Sequence, residues 1–555
     1  MKRIAKVLFI SLAAISSAAC IKEVNPATNV ATGDQVAKAP GSYDLMVKSV
    51  TSTLCGQFLY GGSDYDAFDF GLPSLYLMRD IMGQDVVYKN MNNWYQAWYT
   101  CSHLGPSTAY SQIPWTLYYG WIKSCNNVIS LAGETPSAAQ KAGAGIAYAM
   151  RAYYYMDLAR LYASKPYTVD IKSETVPIVT EKTTVSALAH NPRATNEKMW
   201  AFIIEDLDKA EQYLDGYVRA DVYTPDKSVV YGLKARAYLE MGKWSEAKKY
   251  AGLAKDGYVL MDEAAYTDWE TGFNTPNKSW MLGMTFKKDD PNILANDADS
   301  SWGSMMCIEM SPETSGCGYA ANYGLQFLID RHLYETIPAT DWRRKCYVDF
   351  AVDDLAEDDA IELLSNYSTH PDWLYNITIG NYDNLHGGME LKFRTAGGEA
   401  GRQNQYVGFV VAVPMMRVEE MYLIEAEAAG RENEGEGIRL LTEFAKTRDA
   451  GYVYGMHNEA YGNPSTPAFI NEVWWQRRLE FWGEGFATFD IKRLQKGIIR
   501  SYENTNHTDL YRWNSETVPQ WMNYCIVQTE TNYNYDCSNN PDPIAPKGNS
   551  PEYKF

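Results

Sequence analysis

One stretch limits the possible folds of this chain more than any other: residues 231–254, YGLKARAYLEMGKWSEAKKYAGLA. Tyr231, Ala235, Tyr238, Gly242, Trp244, Ala247 and Ala254 recur at the intervals of two helices that pack against each other across a tight turn. Ala235 and Ala247 let the helices approach closely, Gly242 supplies the turn, and Tyr238 and Trp244 fill the groove between them. A large residue belongs at position 251 of such a unit. Here Ala251 stands there, with Tyr250 one place off. One helix pair cannot bury its apolar face alone, so other helices must stack on it.

The spacing is that of a tetratricopeptide unit, and neighbouring segments carry the helices needed as degenerate partners. Residues 113–131 place Leu117, Trp121 and Val128 at helical intervals, and 139–162 do the same with Met150, Tyr154, Leu158 and Leu161. A third helix spans 197–214 and is entered through Thr195 as N-cap. Helices resume at 416–429, 437–446 and 467–482. Between them, residues 258–413 are rich in Asn, Asp, Gly, Trp and Tyr, include an acidic run at 353–362, and lose the helical period. Long loops and small strands are expected there, with a helix at 325–336. Loops of that extent in a compact protein are commonly functional. The tail 539–555 reads as irregular. The expected class is mainly α, a helix-pair scaffold carrying an irregular, loop-rich lobe.

The N-terminus sets the compartment. Lys2, Arg3 and Lys6 precede an apolar run from Val7 to Ala19 that ends in Ser17-Ala18-Ala19-Cys20. Residues 1–19 read as a secretory signal, far too short to span ~30 Å of hydrocarbon. Small residues leading into a cysteine resemble a bacterial lipobox, which would make Cys20 an acylated N-terminus. Ser17 stands where lipoboxes usually carry an aliphatic residue, and simple cleavage after Ala19 is the plainer alternative. Two or more acyl chains anchor stably, at ~0.8 kcal/mol per buried CH₂. Residues 20–40 then form a tether, with Lys22 and Glu23 resembling a charged surface-export signal.

Composition removes several function classes. A net charge of −19 repels phosphate backbones, so nucleic acid is a poor partner. The sequence holds 42 Tyr and 16 Trp, more than a core requires, and both suit surfaces that are apolar and hydrogen-bonding at once. Lipidation of Cys20 would leave an even number of the nine cysteines. Cys307/Cys317 and Cys525/Cys537 are the near-sequence disulfide candidates, while Cys55, Cys101, Cys125 and Cys346 read equally well as free thiols. There is no CxxC, Walker loop, HExxH or GxSxG. Asp297, Asp299 and Ser301 begin like a calcium loop, but Trp302 replaces its glycine and Ile308 its glutamate. No cofactor and no metal are expected, and the acidic residues single out no hydrolytic carboxylate pair.

Several blocks then agree. RAYYYMDLARLYASKPY (151–167), VPIV (176–179), RATNEKMWAFIIEDLDKAEQYL (193–214), DWRRK (341–345) and PMMRVEEMYLIEAEAAG (414–430) resemble the SusD/RagB family of Bacteroidetes outer-membrane lipoproteins. So does QRRLEFWGEGFATFDIKR (476–493), in which Arg477, Glu480, Glu484, Gly485, Asp490 and Arg493 match the family's pattern. Gln476 and Phe481 depart from it, and the arginine after the glycine is missing. These charged residues read as packing partners. The resemblance implies about four tetratricopeptide-like helix pairs with a ligand-binding lobe. It also implies a SusC-like TonB-dependent transporter as partner, over which the lipoprotein would sit at the cell exterior and pass on a captured glycan. Peptides are the rival ligand within the family. A secreted glycoside hydrolase and a tetratricopeptide scaffold for proteins are the readings outside it. The segments are 1–19 signal, 20–40 lipidated terminus and tether, 41–257 N-terminal helical region, 258–413 irregular lobe, and 414–555 C-terminal helical region and tail.

A sugar ring has an apolar C–H face and a hydroxyl rim, so its site combines aromatic platforms with polar edges. NMNNWYQAWY (90–99) offers Asn93, Trp94, Tyr95 and Trp98, and GGSDYDAFDF (61–70) adds Asp64 and Tyr65. The lobe adds Trp280, Trp302, Tyr319 and Tyr323. Trp94 and Trp98 lie one helical turn apart, a spacing that also suits a core pair. Whether Trp94, Trp98 and Trp302 converge on one exposed face separates a ligand site from a packed scaffold.

Overall fold

The computed structural model describes residues 41–58, 68–88, 94–295, 300–313, 318–322, 326–377, 387–546 and 548–555, with residues 39 and 324. The expected positions Cys20, Asp64, Tyr65, Asn93 and Tyr323, and the calcium-like Asp297 and Asp299, lie outside these. The architecture is mainly α. Its longer helices are α1 (Ser42–Ser52), α2 (Leu72–Ile81), α3 (Ala109–Ala132), α4 (Ala138–Tyr162), α5 (Asn196–Tyr213), α6 (Lys227–Glu240) and α7 (Trp244–Ala254). After the lobe come α8 (Val418–Glu432), α9 (Glu434–Ala445), α10 (Ala468–Glu480) and α11 (Ala487–Arg493). Among the described residues, no helix is long and apolar enough to cross a membrane.

Helices α3 to α9 pack each on the next, and α10 closes the row against α8 and α9. The α6–α7 pair is the unit expected from residues 231–254. Gly242 turns it with φ +66°, and Ala235, Ala247, Ala251 and Ala254 are fully buried. Tyr250 replaces the missing bulk at position 251 by stacking on Tyr238, with ring centroids 5.6 Å apart. Helix α4 is the centre of the N-terminal half, buried all round from Gly143 to Tyr162. Small residues make that possible. A Cβ on Gly143 would lie 2.6 Å from Val47 of α1, and one on Gly145 2.7 Å from Leu214 beyond α5. The start of α4 is fixed by a capping box between Ser137 and Gln140. As expected, α5 is capped by Thr195, whose side chain accepts from the Lys198 N–H.

The chain leaves the stack after α7 and returns at α8, which packs on α7 as if nothing intervened. The strands Trp280–Thr285 and Ala412–Arg417 pair antiparallel and tie the lobe's base to the stack. The boundary expected at 413/414 therefore falls inside the second of these strands. The lobe is otherwise short turns of helix and loops, with a small core of its own built from Val87, Ile308, Ala320, Leu328, Val348 and neighbours. The helix expected at 325–336 is corrected there. Over the described residues 326–336, Leu328–Ile329 is a strand paired with Val86–Val87, and only Arg331–Glu335 is helical. Ile329 is drawn into extended pairing by its bond to the Gly388 carbonyl, and Asp330 then caps the new turn at Leu333.

The charged residues of the blocks 341–345, 414–430 and 476–493 are structural. Glu480 on α10 is fully buried and meets Arg343, Arg417 and Arg448 at 3.2, 3.1 and 3.1 Å. Burial opposes its ionisation, but Arg448, Arg417 and Arg343 together hold the carboxyl well below its usual range. Glu484 pairs with Arg417 at 2.8 Å and Lys392 at 2.6 Å. Arg493 joins Asp490 at 2.7 Å and Glu427 of α8 at 2.6 Å. The same block clamps α2: Gly485 and Ala487 donate their N–H groups to Asp80 at 2.8 and 3.0 Å. A disulfide expectation is also corrected. Cys525 and Cys537 are both free, the buried Cys525 thiol donating to the Leu104 carbonyl at 3.1 Å. Cys307 is free and buried, and Cys317, its expected partner, lies outside the described residues.

Candidate functional site

The site is assembled where the segment after β1 (Val86–Val87) meets the lobe. Residues 94–95 form a turn that opens the short helix Gln96–Tyr99, with Trp98 N–H bonded back to the Tyr95 carbonyl at 3.1 Å. That single turn sends the two tryptophans opposite ways. Trp94 is 38 % exposed, whereas Trp98 is fully buried. Across from Trp94 lies Tyr319, partly exposed, with ring centroids 6.3 Å apart in an edge-to-face arrangement. Tyr319 sits on the short helix Gly318–Asn322, whose Ala320 is anchored in the lobe's core and whose Tyr319 N–H donates to Ser304 Oγ at 3.0 Å.

Beneath Trp94 and Tyr319 is a packed aromatic floor. Phe68 contacts Trp94 at 6.1 Å and Trp98 at 5.3 Å, and Tyr110, at the start of α3, stands edge-on to Trp98 at 5.0 Å. Tyr95 leans on Trp98 and Phe327, and its hydroxyl is 2.9 Å from Ser74 Oγ. Deeper still, Tyr99 stacks on His507, with its hydroxyl 2.8 Å from Nδ1, and carries the Arg500 guanidinium 4.6 Å above its ring. Burial first, and Arg500 second, keep His507 neutral by pushing its pKa well below 6.5. Edge-to-face pairs of this kind each contribute ~0.5–1.5 kcal/mol beyond their area. Trp94 is therefore packed against Phe68 and Tyr319 and open to solvent on its remaining surface, and Gln96 beside it is exposed.

Of the described candidates, Trp94, Tyr95, Trp98 and Tyr319 come together in one cluster. Trp94 and Tyr319 face solvent, while Tyr95 and Trp98 support them from below. Trp302 is buried against Phe393 at 5.0 Å, on the short helix whose Ser304 holds Tyr319. Trp280 is buried on the strand Trp280–Thr285, opposite Arg417 of the strand Ala412–Arg417. Neither ring is open to a ligand in this conformation, so Trp94, Trp98 and Trp302 do not converge on one exposed face. Sequence reading missed Tyr110 because it precedes the apolar period of α3. It missed Phe68 because only the polar residues of its segment suggested contact. Among the described residues, no group of three or more His, Cys, Asp or Glu side chains is placed to hold a metal ion.

Comparison with known proteins adds the lineage. Residues 76–239 match a SusD-like family described as starch-binding and associating with the outer membrane, and residues 375–547 match the SusD family proper, SusD/RagB. Together the two stretches span more than half of the chain. No curated protein matches the sequence. Among solved structures, a SusD-like carbohydrate binding protein from Bacteroides vulgatus is similar over 90% of this chain and 97% of its own, with TM-score 0.68 and 23% identity. Surface glycan-binding protein A from Bacteroides thetaiotaomicron, solved with laminarihexaose, is similar over 90% of this chain and 99% of its own, with TM-score 0.64 and 17% identity.

Proposed function

The chain belongs to the SusD/RagB family, and on that premise we propose that it is a lipid-anchored outer-membrane protein that captures a glycan at the cell surface. It hands the glycan to a SusC-like TonB-dependent transporter. The observation that carries the reading is Trp94, held edge-on to Tyr319 over a packed aromatic floor. Indole and phenol rings offer an apolar face with a hydrogen-bonding edge, and a pyranose, with its C–H face and hydroxyl rim, is complementary to both. The glycan in the solved complex of the B. thetaiotaomicron protein supports the same ligand class.

One exposed and one partly exposed ring give a weak, reversible site, which suits a protein that must release its cargo. Tethering through Cys20 would hold it near its transporter and raise the effective concentration, so weak capture still feeds the pore. The chain needs no cofactor for this, and import energy would enter through the partner. Co-purification tests the partnership: a TonB-dependent transporter should be retained by the Cys20-bearing chain extracted from outer membranes. Its consistent absence under mild detergent would remove that half of the proposal. Asp64, Tyr65, Asn93 and Tyr323 remain proposed polar and aromatic contributors to the same site.

A further inference from the structure

A second feature lies on the outer side of α3. Residues Lys123, Asn127 and Ser130 are exposed along this helix and form one wall of a groove of about 940 Å³. The volume falls within the ~300–1,000 Å³ of clefts that bind small ligands. The opposite wall is the short helix Val185–Leu188 and the turn that follows Gln528–Thr531. On that turn Tyr533 and Tyr535 are 74 % and 73 % exposed. They are not on a loose loop. Asn534 between them is buried, donates to the Asn191 carbonyl at 2.7 Å and to Glu530 at 2.8 Å, and accepts from the Asn191 N–H at 3.0 Å. The Tyr535 N–H is fixed to the Ala189 carbonyl at 2.9 Å. Two outward tyrosines are thus presented on a backbone pinned at its middle residue.

Three charged side chains line the groove: Glu181 is paired with Arg151 at 2.7 Å, Glu530 accepts a hydrogen bond from the neutral Asn534 amide, and Lys123 is exposed. The His190–Asp536 pair, at 3.3 Å, stands beside Tyr535. What faces the opening is two aromatic rings, a few apolar groups such as Val185, and the neutral or flexible donors Asn127, Ser130 and Lys123. Among the described residues, Lys123 and Glu530 are the groove's charges without an ion pair and lie on opposite walls, so the lining favours neither sign, and a neutral polyhydroxyl chain meets the two tyrosine rings and hydrogen-bonding edges. We infer that this groove is a second binding site for neutral oligosaccharides, separate from the Trp94 patch and independent of whether that patch binds sugar.

Hydroxyl-radical footprinting of residues 21–555 tests this, with laminarihexaose, maltohexaose and chitohexaose as probes and exposed Met456 and Phe555 as internal references for scavenging. At least one probe should lower oxidation of Tyr533 and Tyr535 about threefold or more relative to the references. The protection should persist in Trp94→Ala, be kept in Tyr535→Phe and be lost in Tyr535→Ala. Absence of protection by all three probes overturns the inference, as does protection that vanishes in Trp94→Ala. Protection by a casein tryptic digest but by no sugar would also overturn it, in favour of a peptide surface.

Discussion

Trp98 carries the load of the aromatic cluster without touching solvent, and Trp94 has the opposite balance. Trp98→Ala should cost ~3–5 kcal/mol of stability, because the vacated space is walled by Phe68, Tyr95 and Tyr110 and cannot collapse easily. Trp94→Ala should leave the urea midpoint almost unchanged and weaken glycan binding by about 1 kcal/mol, roughly fivefold. Equal stability losses in the two variants would contradict this division. Glu390 gives a pH prediction. Buried in the lobe, it is pushed up to about 8 by burial, against the Phe393 and Lys392 N–H groups and the Arg394 charge. The folded state keeps a proton that the unfolded chain releases above its ordinary 4.5, so the stability that Glu390 contributes falls as pH rises from about 4.5 through about 8. Glu390→Gln retains an acceptor for both backbone donors and should flatten that slope, as read from urea midpoints at pH 5 and 8.5. An unchanged slope would show that other groups dominate. The Trp94–Trp98 pair was legible in sequence only as aromatic and one turn apart. Which ring faces out depends on the turn at 94–95, and helical spacing does not encode it.

At the scale of elements, glycines decide how closely helices approach. Gly430 near the end of α8 and Gly437 on α9 lie against Phe469 of α10, where a Cβ on Gly430 would fall 2.0 Å from the ring and one on Gly437 2.4 Å from Gly430 Cα. Gly430→Ala should therefore destabilise by at least ~1–3 kcal/mol, whereas the same change at Gly120, which has open space around it, should be neutral or mildly stabilising. Thermal midpoints of the two variants check this, and parity between them would contradict the packing account. The helices themselves were readable because their apolar period is unbroken: α3, α4 and α5 begin and end within a few residues of expectation. The segment at 325–336 was not. Its apolar residues fit a helix locally, but pairing with Val86–Val87, more than two hundred residues away, draws Leu328 and Ile329 into a strand.

Across the whole molecule, one helical stack is interrupted by a lobe and resumed. The buried Glu480 cluster joins Arg343 of the lobe, Arg417 at its base and Arg448 after α9 to α10. Glu480→Gln removes the one carboxylate shared by these three buried guanidinium groups and should cost ~3–5 kcal/mol, unfolding lobe and stack in one transition. A variant that melts in two steps would show that the lobe is held independently. The family blocks made the scaffold legible, since their charged residues build this network, but they do not touch the Trp94 patch and so leave the ligand unspecified. The most direct test is calorimetric titration of residues 21–555 with polysaccharides, oligosaccharides and peptides, with each ligand analysed for cleavage afterwards. The account predicts binding of one glycan class, returned intact and weakened by Trp94→Ala and Tyr319→Ala. Cleavage of the ligand, binding of peptides alone, or glycan affinity indifferent to both substitutions would contradict it.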